Sequence, residues 1–175
     1  MALSLEQKKA VVAEIAGVAV NAHSLVVSEY IGTTVDDFTE MRSEARKTGV
    51  FLKVAKNTLV KRGVQGTDFE CVADSLVGPM LYAFSIEDPG CAARLIKDYA
   101  KKNEKLVTKL VSIGGKMFDA SELGRLASLP TKDQAISQLM SVMLAPVEKF
   151  VRTLAEPHTK MVRTIAAIRD QKETA

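Results

Sequence analysis

The side chains that ordinarily carry covalent or metal chemistry are few in this 175-residue sequence and badly spaced for it. His23 and His158 are the only histidines, and neither lies in a metal-ligand spacing or beside a serine or cysteine in a nucleophile pattern. Cys71 and Cys91 are the only cysteines; behind an opening MALSLEQKK that lacks a basic-then-apolar leader, such a pair is expected to be two buried thiols with no redox role. Gly114-Gly115-Lys116 lacks the full spacing of a phosphate-binding loop. The carboxylates Asp36-Asp37 and Glu87-Asp88 fall at expected helix starts, where capping accounts for them. No catalytic residue, metal or cofactor is expected, so the chemistry of the chain reduces to what it binds.

Two stretches could bind. Between Ala45 and Gly66 the chain carries Arg46, Lys47, Lys53, Lys56, Lys61 and Arg62 and no carboxylate, in a protein whose net charge is only +3. The centre of this stretch, KVAKNTLVKRG, runs from an expected strand into a short helix starting at Asn57-Thr58. There, free backbone N–H groups and an amide side chain could meet phosphate oxygens while the lysines supply attraction. On spacing alone a solvated basic face and a phosphate contact both stay open. No aromatic residues interleave the lysines as a stacking platform, so contact with folded RNA through shape and backbone fits better than reading of single-stranded bases.

The second stretch is a repeat. Residues 145–155 read APVEKFVRTLA and residues 156–166 read EPHTKMVRTIA. Eleven residues make almost three helical turns, so Phe150, Val151 and Leu154 return to nearly the same face as Met161, Val162 and Ile165. An amphipathic helix packed on its own domain would show an apolar stripe, but it has no reason to repeat its sequence. A helix that presents equivalent surfaces to identical partners does have one, and sharing an arm adds avidity. Pro146 and Pro157 suggest a start, a kink or a hinge, and His158 a solvent-side residue.

These stretches need elements to position them. Ser4 with Gln7 forms a capping box ahead of a helix over about Leu5 to Ala22, whose outer face carries Lys8 and Lys9. Ser24–Tyr30 is a β-rich run. Val35–Lys47 is helical, with Phe38, Met41 and Ala45 inward, and is closed by Gly49. Val50–Val54, Met80–Phe84 and Leu106–Ile113 are further strands, the last stopped by Gly114-Gly115, with short helical segments around Leu59 and Val72, and Asp88 as N-cap before Pro89 leads a helix through Leu95, Ile96 and Tyr99. Ala120–Ala127 is a short helix ended by Ser128-Leu129-Pro130, and Thr131 with Gln134 launches a helical stretch after which no strand signal returns. The boundary is placed near Pro130: residues 1–130 form an α/β domain and residues 131–175 a C-terminal helical arm. With hydrophobic residues at 47%, aromatics at 5% and no Trp, the core is aliphatic, and no apolar run approaches a membrane span.

The opening MAL with KKxxVVAEI, then KNTLVKR, FEC followed by LVGPMLYAFS, DPGCAARLIKDYAKK, LASLP and the ending VRTIAAIRDQKE together make the chain resemble, over essentially its whole length, the bacterial large-subunit ribosomal protein at the base of the lateral stalk, number ten in its series. The resemblance implies an α+β fold, a ferredoxin-like sandwich followed by an extended helical arm. It implies a cytoplasmic, ribosome-associated structural protein whose domain binds large-subunit ribosomal RNA beside a neighbouring stalk-base protein. Its helix would anchor multiple dimers, two or three, of the acidic stalk protein and so serve translation factors indirectly; related proteins also repress their own messenger. RNA contact carries over to Lys53, Lys56, Asn57, Thr58, Lys61 and Arg62, with Lys8 and Lys9 on the first helix. Partner contact carries over to Phe150, Val151, Leu154, Met161, Val162, Ile165 and Ile168, with Arg152, Lys160, Arg163 and Arg169 suited to an acidic partner. The competing classes are a free-standing RNA-binding regulator with a self-associating helix and, less consistent with the arm's modest hydrophobicity, a membrane-surface helix.

Overall fold

The computed structural model describes residues 4–103 and 105–173; the opening MAL quoted above lies outside them. The chain forms two compact units, Met1–Thr131 and Lys132–Ala175.

In the first unit, α1 (Leu5–Asn21) starts where expected: the Gln7 N–H donates to Ser4 Oγ at 3.3 Å, and the Ser4 N–H donates to Gln7 Oε1 at 3.0 Å. β1 (Ser24–Glu29), α2 (Val35–Lys47), β2 (Val50–Val54), α3 (Asn57–Val64), β3 (Met80–Ser85), α4 (Cys91–Lys102) and β4 (Val107–Ile113) follow, and a 3-10 turn at Glu70–Ser75 lies between α3 and β3. α2 is opened by a second capping box, Thr34 with Asp37, which is what the Asp36-Asp37 pair serves. Gly49, just past its end, takes φ +67, a conformation side chains with a Cβ rarely adopt.

With a short fifth strand, β5 (Lys116–Asp119), the sheet order is β2-β3-β1-β4-β5 and every pairing is antiparallel. The crossover β1-α2-β2 therefore spans β3, and β3-α4-β4 spans β1. Two interleaved crossovers of this kind make the ferredoxin-like arrangement that was expected. The sheet is covered on both sides, giving three layers. On one face of the sheet α2, α4 and α5 (Leu123–Ala127) pack on Val26, Leu81, Ala83 and Val111. On the other, α1, α3 and the 3-10 turn pack on Leu25, Val27, Tyr82 and Phe84. Because both faces are covered, β1 and β3 are buried nearly end to end, which explains why LVV and MLYAF read as unbroken apolar runs rather than alternating ones.

Four sequence expectations change. The helix after Asp88-Pro89 begins at Cys91, with Asp88 receiving the Cys91 N–H on its backbone oxygen rather than capping with its side chain. Gly114-Gly115 does not end the sheet but turns it: both have positive φ, +53 and +79, and join β4 to a fifth strand, β5 (Lys116–Asp119), as a tight hairpin. The expected helix Ala120–Ala127 divides into a 3-10 turn, Ala120–Glu122, and α5. The cysteines are free, but only Cys91 is partly buried, whereas Cys71 is exposed.

The second unit is one helix, α6 (Lys132–Glu173), 42 residues long and, at about 1.5 Å per residue, roughly 63 Å from end to end. It runs without interruption through Pro146 and Pro157, so neither starts a helix. None of its residues is buried. No helix among the described residues is long and apolar enough to cross a membrane.

Candidate RNA face and docking arm

The basic stretch folds into the edge of the sheet and the helix beside it. β2 is an outer strand, carrying Lys53, and α3 leaves it after two residues. α3 buries Leu59, Val60, Gly63 and Val64, a helical spacing that turns one side onto α1 and leaves Thr58 and Arg62 exposed and Lys61 half-buried on the other. The approach of α1 to α3 is close. A Cβ on Gly63 would stand 3.0 Å from Ile15 Cγ2 and 3.3 Å from the Val12 carbonyl oxygen. This contact brings the two sequence-distant groups of cations together: Lys8, Lys9 and Arg62 line one groove of about 360 Å³ together with Leu5, Val12 and Leu59.

Not every predicted RNA residue is free for RNA. Lys53, in a stretch with no carboxylate of its own, is ion-paired with Glu14 of α1 and lies 5.8 Å from the Phe51 ring. The sequence stretch looked uncompensated because its counter-charge comes from 39 residues away. Asn57 is also committed. Its amide nitrogen donates to the carbonyl oxygens of Gly78 at 2.9 Å and Leu76 at 3.3 Å, and its Oδ1 accepts the Tyr82 hydroxyl at 3.0 Å. Tyr82 is buried, and burial pushes its pKa well above the ordinary phenol range, so the hydroxyl stays a donor. Asn57 therefore ties the start of α3 to the loop before β3 and does not offer its amide to a phosphate. Lys56, just before α3, is exposed, and no side chain caps the helix there. What remains outward is Lys56, Thr58, Arg62 and Lys9, with Lys8 and Lys61 half-buried. Arg46 of the basic stretch and Arg42, which sequence reasoning left out, lie on α2 and flank the edge strand β2 in a neighbouring groove that also contains Lys53 and Glu14.

On α6 the apolar side chains Phe150, Val151, Leu154, Met161, Val162, Ile165 and Ile168 are all more than half exposed. At about 100° per residue they fall within one stripe, while the ion pairs Glu148–Arg152 and Glu156–Lys160 fall on the opposite side. Three of the four arm cations expected to attract an acidic partner are thus already paired along the helix, Arg169 with Asp170 and Glu173 being the third. Such exposed pairs are weak and exchange readily with a partner's carboxylates. Sequence reasoning missed one part of the stripe. Stepping eleven residues back from Phe150, Val151 and Leu154 leads to Leu139, Met140 and Met143, all 60–70% exposed on the same helix. The arm thus holds three apolar segments in phase, and the first escaped notice because it keeps the pattern without the VRT identities.

No cluster of His, Cys, Asp and Glu that could hold a metal ion occurs among the described residues. The first unit matches the family described as Ribosomal protein L10 over residues 4–101. The arm matches the Ribosomal protein uL10 C-terminal region in two stretches, 129–155 and 156–175, which divide at the boundary between the two repeats. Proteins called large ribosomal subunit protein uL10 are similar along the whole chain. That of Methylococcus capsulatus is 62% identical over 100% of both chains. That of Thioalkalivibrio sulfidiphilus is 58% identical over 100% of this chain and 99% of its own. That of Legionella pneumophila strain Corby is 56% identical over 98% and 97%. With both units matched and relatives similar along the whole chain, the chain belongs to the uL10 family of structural, non-enzymatic proteins of the large ribosomal subunit.

Proposed function

We propose that this protein forms the base of the lateral stalk: the first unit binds ribosomal RNA through Lys56, Thr58, Lys61 and Arg62 together with Lys8 and Lys9, beside a neighbouring stalk-base protein, and α6 anchors dimers of the acidic stalk protein that recruit translation factors. The observation that carries the reading is the exposed stripe of α6, repeated every eleven residues on a helix that buries none of it. So many large apolar side chains left in water on one face call for a cover, and a cover that repeats calls for identical copies. RNA supplies the counter-charge for the groove between α1 and α3.

Native mass spectrometry of the full chain co-expressed with its stalk protein tests this. Three dimers are expected on the intact arm, and removal of residues 156–166 is expected to lower the count by one dimer. An unchanged count would refute the assignment of one segment to one dimer. Self-association of the purified chain with no uptake of the stalk protein would instead support a free-standing regulator with a dimerising helix.

A further inference from the structure

The three segments of α6 are in phase but not identical. Each has four positions on the stripe, and the last three are apolar in every copy: Leu139, Met140 and Met143; then Phe150, Val151 and Leu154; then Met161, Val162 and Ile165. The first position is Ile136 in the first segment and Val147 in the second. In the third it is His158. The side chain at that position lies one turn from Leu154 before it and one turn from Val162 after it, so the imidazole stands in the apolar stripe and not on the charged side. At one-turn spacing on either side the neighbours are Leu154, Ala155, Met161 and Val162, none of which can titrate or accept its proton. The nearest carboxylate in sequence, Glu156, is turned to Lys160 at 3.2 Å on the other side of the helix.

We infer that the docking segments are graded: His158 makes residues 156–166 the weakest of the three and the one that releases its partner as pH falls. This rests on the docking reading above and sharpens it. A partner that covers Ile136 or Val147 removes an aliphatic side chain from water, whereas covering His158 in the same way gains less and demands the neutral ring. Histidine is the side chain that gains charge between about pH 5 and 8, and a charged ring in an apolar contact without a partner is strongly disfavoured. Carboxyl groups as a class titrate below about pH 5, so the effect is separable from general loss of electrostatic attraction.

The test uses the full chain with co-expressed stalk protein, counted by native mass spectrometry from about pH 8 down to about pH 6. Two variants accompany it: His158→Val, which gives the third segment the residue of the second, and Val147→His, which does the reverse. The expected result is that the wild-type arm falls from three dimers to two as pH drops, that His158→Val keeps three, and that Val147→His falls to one. At the upper pH the third dimer should bind on the order of tenfold more weakly to wild type than to His158→Val. Identical loss from wild type and His158→Val would overturn the grading. Absence of any bound dimer on all three chains at the upper pH would overturn the docking reading itself, and this inference with it. Circular dichroism of the free chains, expected to be unchanged because positions 147 and 158 are exposed, separates helix loss from lost docking.

Discussion

Replacing Asn57 by alanine tests whether this residue is a clamp or an RNA contact. The side chain makes three hydrogen bonds, to the Gly78 and Leu76 carbonyls and from the Tyr82 hydroxyl. Each is worth about 0.5–1.5 kcal/mol net, but the Gly78 carbonyl lies at the surface and water replaces the lost donor there at little cost. The Tyr82 hydroxyl has no such recourse: its residue is 1% exposed, and a stranded buried donor costs about 1–3 kcal/mol. Together these give a loss of about 2–4 kcal/mol for Asn57→Ala, a large share of the stability of a domain this size. Tyr82→Phe alone removes the donor and leaves only a half-buried amide oxygen, for about 1 kcal/mol. The double variant should therefore be less destabilised than the sum of the singles by about 1–2 kcal/mol, because the hydroxyl that Asn57→Ala strands is no longer present. Urea denaturation of the four chains reads this directly, as shifts in midpoint at constant slope. Additivity within about 0.3–0.5 kcal/mol would refute the clamp. In the same chains, held well below their melting temperatures, the salt dependence of RNA binding should be that of wild type, since the amide is already spoken for.

Three further outcomes follow from the same surfaces. Gly63→Ala should lower stability by about 1–3 kcal/mol despite alanine's better helix propensity, because the added Cβ meets a branched Ile15 side chain and the Val12 carbonyl oxygen; a raised melting temperature would show that α1 and α3 are not in close contact. Lys56→Gln and Lys61→Gln should each weaken RNA binding and flatten its dependence on salt by about one counterion per lost phosphate contact, in a filter-binding titration over several salt concentrations; unchanged slopes would move the RNA to another face. Lys53→Gln should flatten the slope less than either, because Glu14 already holds that ammonium, and an equal effect would mean that the pair opens to admit RNA.

What could be read from the sequence was whatever depends on neighbours in the chain. The capping box at Ser4, the limits of β2 and the helical arm beyond Pro130 all rest on local pattern, and local pattern is enough for them. β5 was not legible: four residues, all exposed, carry too little alternation, and a Gly-Gly pair marks a stop as readily as a hairpin. The roles of Asn57 and Lys53 were illegible for a different reason. Their partners lie 19–25 and 39 residues away, so an uncompensated basic stretch with a spare amide was the proper reading of the residues alone. The exposure of Cys71 is likewise a property of the 3-10 turn's packing and not of the cysteine. The cations of α1 joined those of α3 only through the seat of Gly63 against Ile15.

The uninterrupted passage of α6 through Pro146 and Pro157 constrains how such an arm can change length. A helix that broke at each proline would let every segment find its own orientation, and residues could be added or lost between segments freely. A continuous helix transmits rotation instead. An insertion of five residues turns everything beyond it by about 140°, which would carry a distal segment to the charged side, whereas eleven residues turn it by only about 20°. An arm of this kind therefore keeps its stripe on one face only when it lengthens or shortens by near-whole numbers of turns, and the eleven-residue repeat is one such step.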